Sequence, residues 1–347
     1  MSERQTATHP AAQPLSGDPV ARVLVAGATG FTGALAARLV WRHPRLELVA
    51  ATSRSQAGMR LDELYPEHRV PVVVAEPELD RLEAVDAAIV AYPHGAAAPL
   101  VAGLREREIA VVDLSADFRL RDTDTYARWY GDHGAPELLE EAIYGLTELN
   151  RDRIRDTRLV ANPGCYPTAA LLALAPLAEA GLCADVVVDA KSGVSGAGRG
   201  GADFAEVGEN FKPYAVAGHR HAPELAQELR SLGAAGPVTF VPHLLPIFQG
   251  LLASCYVTLG RDVDADELRA LYEARYQAEP FVEMVDTEPG VRDVRETNGA
   301  RVHVALDEGS GRALAFCAID NLWKGASGQA VQNLNLMLGL DETEGLF

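Results

Sequence analysis

The 347-residue sequence predicts an α/β protein, with a doubly wound parallel domain followed by an α+β domain. Three observations predict it. Short apolar runs alternate with Ala/Leu-rich helical segments over the first half, the pattern of a parallel sheet with crossover helices. A glycine-rich turn separates the first apolar run from the first helix. Beyond about residue 162 the spacing changes to longer apolar strands and wider loops.

In order, residues 22–28 read as a buried strand, 33–42 as a helix, and 46–52, 85–91 and 109–114 as further strands. A helix starts near Thr168, and 186–190, 240–245 and 251–258 read as strands of the second domain. Helical spacing returns over 325–338. The expected organisation is a flexible tail over 1–20, a first domain over 21–163 completed by a C-terminal helix within 324–347, and a second domain over 164–323. Residues 231–260 carry no formal charge, but Pro237, Pro242, Pro246, Gly236 and Gly250 interrupt them, and His243 and Gln249 are costly in lipid. Buried strands are expected there, not a membrane span.

Forty-nine acidic against 31 basic residues give a net charge of −18, so nucleic acid is not an expected partner. Cys165, Cys183, Cys255 and Cys317 lie far apart with no C-x-x-C pair, which excludes a disulfide scaffold and gives no reason to expect a metal site. Free thiols suit a reducing, cytoplasmic compartment. The first twenty residues lack the apolar segment of a signal peptide.

The turn Gly27-Ala28-Thr29-Gly30-Phe31-Thr32-Gly33 sits where a strand gives way to a helix. Gly27 permits the tight turn, Gly30 lets backbone approach a pyrophosphate, and Gly33 lets helix pack on strand. Helix N–H groups then receive the phosphates, so the first domain is read as Rossmann-type. The second strand runs out into Thr52-Ser53-Arg54-Ser55 with no carboxylate for a ribose 2′-hydroxyl. Hydroxyls and the Arg54 guanidinium suit a 2′-phosphate, which points to NADP.

Asn162-Pro163-Gly164-Cys165-Tyr166-Pro167-Thr168 leads into an Ala/Leu helix. Proline is favoured in a first helical turn, so Cys165 is expected at a helix N-terminus, where free N–H groups and the dipole favour the thiolate. Cys255 and Cys317 fall in apolar strands and Cys183 in a connection, where cysteine behaves as a small hydrophobe. A nucleophile needs a proton shuttle, and His219 and His221 flank Arg220 in Gly218-His219-Arg220-His221-Ala222-Pro223-Glu224. Both histidines fit the role; Glu224, three residues on, is expected to orient His221 and gives it the edge. Of the 31 basic residues only Lys191, Lys212 and Lys324 are lysines, and Lys191 and Lys324 precede glycine-rich loops.

These segments together resemble the N-acetyl-gamma-glutamyl-phosphate reductase family, NADPH-dependent enzymes of arginine biosynthesis. The resemblance runs from about Arg22 to the C-terminus and rests on GATGFTG at 27–33, TSRS at 52–55, PHG at 93–95, DLSADFRL at 113–120, NPGCYPT at 162–168, KSGVSGAGR at 191–199, GHRHAPE at 218–224 and AIDNLWKGASGQAVQNLN at 318–335. It implies a catalytic and oligomerisation domain of the semialdehyde dehydrogenase type, a homodimer or homotetramer, and Cys165 as nucleophile toward an acyl phosphate. It places Pro93, His94, Ser192, Gly193, Asn321 and Lys324 with the cofactor-binding residues, and Ser115 and Asn162 with the substrate. The phosphate is expected on Arg119, with Arg199 or Arg220 in reserve, and the oxyanion on Asn162 or the Cys165 N–H. Asp113 and Asp117 are expected to hydrogen-bond the loop after the fourth strand. Thr147 stands where the family is expected to carry proline. The intact NPGCYPT run favours a free N-acetylated substrate over a carrier-linked one, and the GHRHAPE run speaks against an aspartate-semialdehyde enzyme.

Overall fold

The computed structural model describes residues 13, 16–81, 84–199 and 207–347. Most of the expected flexible tail therefore lies outside the described residues. Gln13, within it, bonds through its side chain to the Val40 and Leu46 carbonyls and the Leu48 N–H.

Six parallel strands form the first sheet: β1 (Ala21–Ala26), β2 (Leu46–Thr52), β3 (Ala87–Val90), β4 (Ala110–Asp113), β5 (Ile143–Tyr144) and β6 (Leu159–Ala161). Their order is β2-β1-β3-β4-β6-β5. The β-branched and alanine-rich runs are buried on both faces, as a sheet flanked by helices requires. Among those helices are α1 (Phe31–Arg42), α2 (Leu61–Leu64), α3 (Ala98–Arg105), α4 (Thr123–Tyr130) and α5 (Thr147–Arg155). Chain direction along the sheet reverses between β1 and β3, so the crevice past their carboxyl ends is the binding position of such a fold. The glycine turn follows β1, and Pro93-His94-Gly95 follows β3.

Helix α6 (Cys165–Glu179) then opens the second half, and Cys165 is its first residue, three positions ahead of the expected start. It is apolar on every side because it lies between the sheet and other helices, with nearly all of its residues buried. The second sheet has seven strands: β7 (Cys183–Gly193), β8 (Lys212–Pro213), β9 (Val238–Leu245), β10 (Leu251–Leu259), β11 (Val282–Met284), β12 (Ala300–Asp307) and β13 (Arg312–Ile319), in the mixed order β11-β12-β13-β10-β7-β9-β8. Cys183 thus begins a strand instead of lying in a connection, and the uncharged stretch 231–260 supplies β9 and β10. Helices α7 (His221–Ser231) and α8 (Ala265–Tyr276) share the core with α6 on one sheet face. On the other face Val187, Val241, Leu252, Tyr256, Leu314 and Phe316 remain half-buried.

After β13 the chain returns to the first sheet through a π-helical turn (Trp323–Ser327) and α9 (Gly328–Met337), every residue of which is buried. Val331 and Leu334 join the core beneath α1. No helix among the described residues is long and apolar enough to cross a membrane.

Candidate active site

The glycine turn is fixed by contact. Gly27 has φ +82°, and a Cβ there would strike the Ala91 carbonyl, while one at Gly33 would strike the Gly27 carbonyl. Above Gly30 a Cβ would meet nothing nearer than 3.9 Å, so backbone is open there to a ligand. Gly30 caps α1 without a side-chain bond, leaving the N–H groups of Phe31 and Thr32 at the helix start outside the helical ladder. These features fit a dinucleotide pyrophosphate. Thr29 and Ser53 are buried and share a hydroxyl hydrogen bond of 2.9 Å. Arg54 is exposed, its guanidinium 4.7 Å from the Tyr92 ring centroid.

A cavity of about 450 Å³ runs from Gly30 and Phe31 past Pro93 to Cys165. A second, of about 320 Å³, opens on the far side of Cys165 between Ser192, Tyr214 and His219. His94, Cys165, Gly196, Arg220 and His221 line both, so the two meet there.

At that junction a Cβ on Gly164 would come within 2.6 Å of His221 Nε2 and 2.9 Å of an Arg119 nitrogen. Only glycine lets the imidazole and guanidinium come this close to the segment that presents Cys165. Burial pushes the Cys165 thiol up to about 11, outweighing Arg119 and the Tyr166 N–H, which pull the other way. The expectation of a standing thiolate is corrected: desolvation of the sulfur exceeds the helix-terminus effect, and the resting group is a neutral thiol.

His221 is also neutral, its pKa held well below the usual value by burial first and then by His219, Arg119 and His94. Its Nδ1 has no hydrogen-bond partner. His219 is differently placed. Its Nδ1 accepts the His221 N–H at 3.1 Å, so Nε2 carries the proton and meets Tyr214 Oη at 3.2 Å. Tyr214 donates to Tyr166 Oη, which donates to the His243 carbonyl. His219 is therefore committed to that chain, and His221 is the imidazole with a free ring nitrogen.

Glu224 does not orient His221. Its carboxylate accepts from Gly164 N–H at 2.8 Å, Tyr144 Oη at 2.8 Å and Arg119 at 3.2 Å, because the first turn of α7 aims it inward. Arg119 is spent in the same cluster: it also donates to the Asn162 carbonyl at 2.8 Å and the Leu114 carbonyl at 2.8 Å. With its charge matched by Glu224, it is a poor receptor for a phosphate dianion, which corrects the first choice made from sequence. Asn162 likewise spends its amide, accepting from Asn333 at 3.0 Å and donating to the Ala326 carbonyl at 3.3 Å.

Several expected site residues lie elsewhere. Lys324 is fully buried, paired with Glu148 at 2.5 Å and Gln332 at 2.8 Å, and does not face the cavity; Asn321, Gly325 and Ala326 of the same turn do. Ser115 is buried and bonds to Asp113 at 2.6 Å. Gly193 packs on the backbone of Phe248 and Gln249, and Ser192 lines the smaller cavity instead of the cofactor side. Arg199, expected at the substrate, reaches the Thr29 carbonyl at 3.2 Å and stands on the cofactor side. Asn321 bonds to Ser195 at 2.9 Å. Asp117 ties down the loop after β3, accepting from the N–H groups of Gly95, Ala97 and Ala98, while Asp113 holds the loop after β4. Sequence reasoning missed Tyr130 and Tyr144, whose partners come from segments 80 and 90 residues away.

A Rossmann-type crevice meeting a cysteine and histidine at the edge of a mixed sheet defines a dehydrogenase of the semialdehyde class. The two halves match family models to that effect: "semialdehyde dehydrogenase, NAD binding domain" over 22–157 and "semialdehyde dehydrogenase, dimerisation domain" over 165–321. Solved structures agree in fold. Aspartate semialdehyde dehydrogenase II of Vibrio cholerae superposes with a TM-score of 0.71 at 19% identity, covering 92% of this chain and 98% of that one. The Candida albicans aspartate semialdehyde dehydrogenase with NADP gives 0.67 at 16% identity, covering 91% and 98%. Relatives in sequence are much nearer. N-acetyl-gamma-glutamyl-phosphate reductase of Ectopseudomonas mendocina is 49% identical, covering 94% of this chain and 97% of that protein. The Halorhodospira halophila reductase is 51% identical, covering 93% and 96%. The chain belongs to the N-acetyl-gamma-glutamyl-phosphate reductase family.

Proposed function

We propose that the chain reduces N-acetyl-glutamyl 5-phosphate to N-acetyl-glutamate 5-semialdehyde and inorganic phosphate with NADPH, a step of arginine biosynthesis, through a thioester on Cys165. The observation that carries this is Cys165 standing beside His221 where the cavity from the glycine turn meets the second cavity. His221 takes the thiol proton as sulfur attacks the acyl carbon; a C–S bond forms and the C–O bond to phosphate breaks. Since both groups are neutral at rest, this transfer accompanies attack. The Cys165 N–H at the start of α6 faces the developing oxyanion. Bound NADPH supplies the hydride that reduces the thioester carbon. The C–S bond then breaks, and sulfur recovers its proton from His221 as the aldehyde leaves.

NADP, rather than NAD, is supported by Ser53 and the exposed Arg54 at the end of β2, with no carboxylate in 52–55. Gly27, Thr29, Gly30, Phe31, Thr32 and Gly33 would hold the pyrophosphate, with Pro93 and Asn321 lining the way to the nicotinamide end. The domain reading is 21–163 with the C-terminal segment 324–347 for the cofactor and 164–323 for catalysis. The half-buried sheet face around Tyr256 and Phe316 suits a second copy of the chain, consistent with the dimerisation-domain match. Cytoplasmic localisation fits the four free thiols.

The test is NADP reduction with N-acetylglutamate semialdehyde and inorganic phosphate, run beside aspartate semialdehyde. Faster turnover of the aspartate compound overturns the substrate. Cys165→Ser is expected to lose at least about a thousandfold in turnover while binding NADP normally; near-normal turnover overturns covalent catalysis.

A further inference from the structure

With Arg119 neutralised by Glu224, the site needs another receptor for the phosphoryl group that leaves from Cys165. Two donors stand where the cavities meet, one from each half of the chain. His94 follows β3 and Arg220 precedes α7, and both are exposed into the cleft. The proton on His94 is located by its partner: the Ala116 N–H donates to Nδ1 at 3.0 Å, so Nε2 carries hydrogen. Burial, with Arg119 second, lowers the His94 pKa to about 4, and the ring is neutral at pH 7 with Nε2–H free. Arg220 forms no ion pair among the described residues.

One ring supports both. The His94 ring meets Tyr130 edge-on with centroids 5.8 Å apart, and the Arg220 guanidinium lies 5.4 Å from the Tyr130 centroid. Tyr130 Oη also donates to the Arg220 carbonyl at 3.1 Å. Tyr130, at the end of α4, thereby fixes a neutral N–H donor and a guanidinium to one another across the domain junction.

Resting on the function proposed above, we infer that His94 Nε2–H and the Arg220 guanidinium form the phosphoryl subsite of the reaction, with Tyr130 as their positioning residue. The subsite takes the phosphate of the acyl phosphate in one direction and inorganic phosphate in the other. His94 is thereby a substrate-side group rather than a cofactor contact. A neutral donor beside one guanidinium holds a dianion without over-binding it, which suits a group that must depart after each turnover.

The measurement is KM for inorganic phosphate in the oxidative direction. His94→Ala and Arg220→Ala should each raise it roughly ten- to hundredfold, the value of a hydrogen bond to a charged group, with KM for NADP within about twofold. Tyr130→Leu should act likewise. Tyr130→Phe, which keeps the ring, should change it about fivefold or less. His94→Asn, which keeps an N–H donor, should recover part of the loss. An unchanged phosphate KM in His94→Ala, or a rise in NADP KM alone, overturns the assignment. Should the wild type oxidise neither semialdehyde with phosphate, the function reading fails, and the subsite is tested by itself. Inorganic phosphate should then slow iodoacetamide alkylation of Cys165 in the wild type but not in His94→Ala or Arg220→Ala. Absence of protection in the wild type rejects the subsite.

Discussion

The glycine turn and the cysteine–histidine junction sit at two ends of one cleft and are built by opposite means. The turn is local: residues 27–33 meet each other and the ends of two adjacent strands, and glycine at Gly27 and Gly33 is demanded by backbone within seven residues or by the neighbouring strand. The junction is assembled from His94, Arg119, Cys165 and His221, scattered over more than a hundred residues. Its chemistry is set by burial and by partners that no local pattern encodes. One consequence is that a helix N-terminus behaves differently in the two places. At α1 it faces an open cavity and can receive an anion; at α6 it carries a sulfur so desolvated that the neutral thiol prevails.

The largest expected effect sharpens that contrast. His221→Asn removes the proton acceptor and should lower kcat/KM by about a hundred- to ten-thousandfold, leaving NADP binding intact. In the wild type without substrate, iodoacetamide alkylation of Cys165 should rise with pH toward the thiol value of about 11. An acid group with a raised pKa is neutral below it, so reactivity at pH 7 should be a small fraction of that at pH 10. A plateau already reached at pH 7 would show that α6 does hold a thiolate and would erase the difference between the two helix ends.

Next in size is the buried pair beneath the junction. Arg119 and Glu224 have side chains 4% and 2% exposed, and Glu224 also anchors Gly164 and Tyr144. Glu224→Gln leaves a buried guanidinium without its counter-charge and should destabilise the fold by about 3 kcal/mol. Urea unfolding measures this, and a loss under about 1 kcal/mol would mean that the cluster relaxes or hydrates. Arg119→Met with Glu224→Leu should regain much of the stability yet not the activity, since Gly164 loses its anchor in either case.

What the sequence disclosed follows the same division. Strand–turn–helix order, the position of Cys165 at a helix start and the return of the C-terminal helix to the first core were legible because each is written in neighbouring residues. Glu224 was misassigned because proximity in sequence to His221 suggested an interaction; the helix that carries both turns one toward the cleft and the other toward Arg119. Lys324 was misassigned for a related reason. Its rarity marked it as special, and it is, but its partner is Glu148, 176 residues away, inside the protein. Tyr130 ends a surface helix of polar composition, with no pattern in TDTYARWY to distinguish it from a solvent-facing tyrosine.

The smallest predicted effect tests the local end of the comparison. Arg54 is exposed, and its guanidinium is held over Tyr92 rather than by a carboxylate, so its charge is uncommitted. Arg54→Ala should raise KM for NADP about tenfold through loss of one charge-assisted bond to the 2′-phosphate. The same variant should leave KM for NAD, which lacks that phosphate, within about twofold, and kcat at saturating NADP should not change. Equal increases for both nucleotides would make Arg54 a general support of the adenosine end. The preference for NADP would then have to come from the paired hydroxyls of Thr29 and Ser53, and Ser53→Ala would show it.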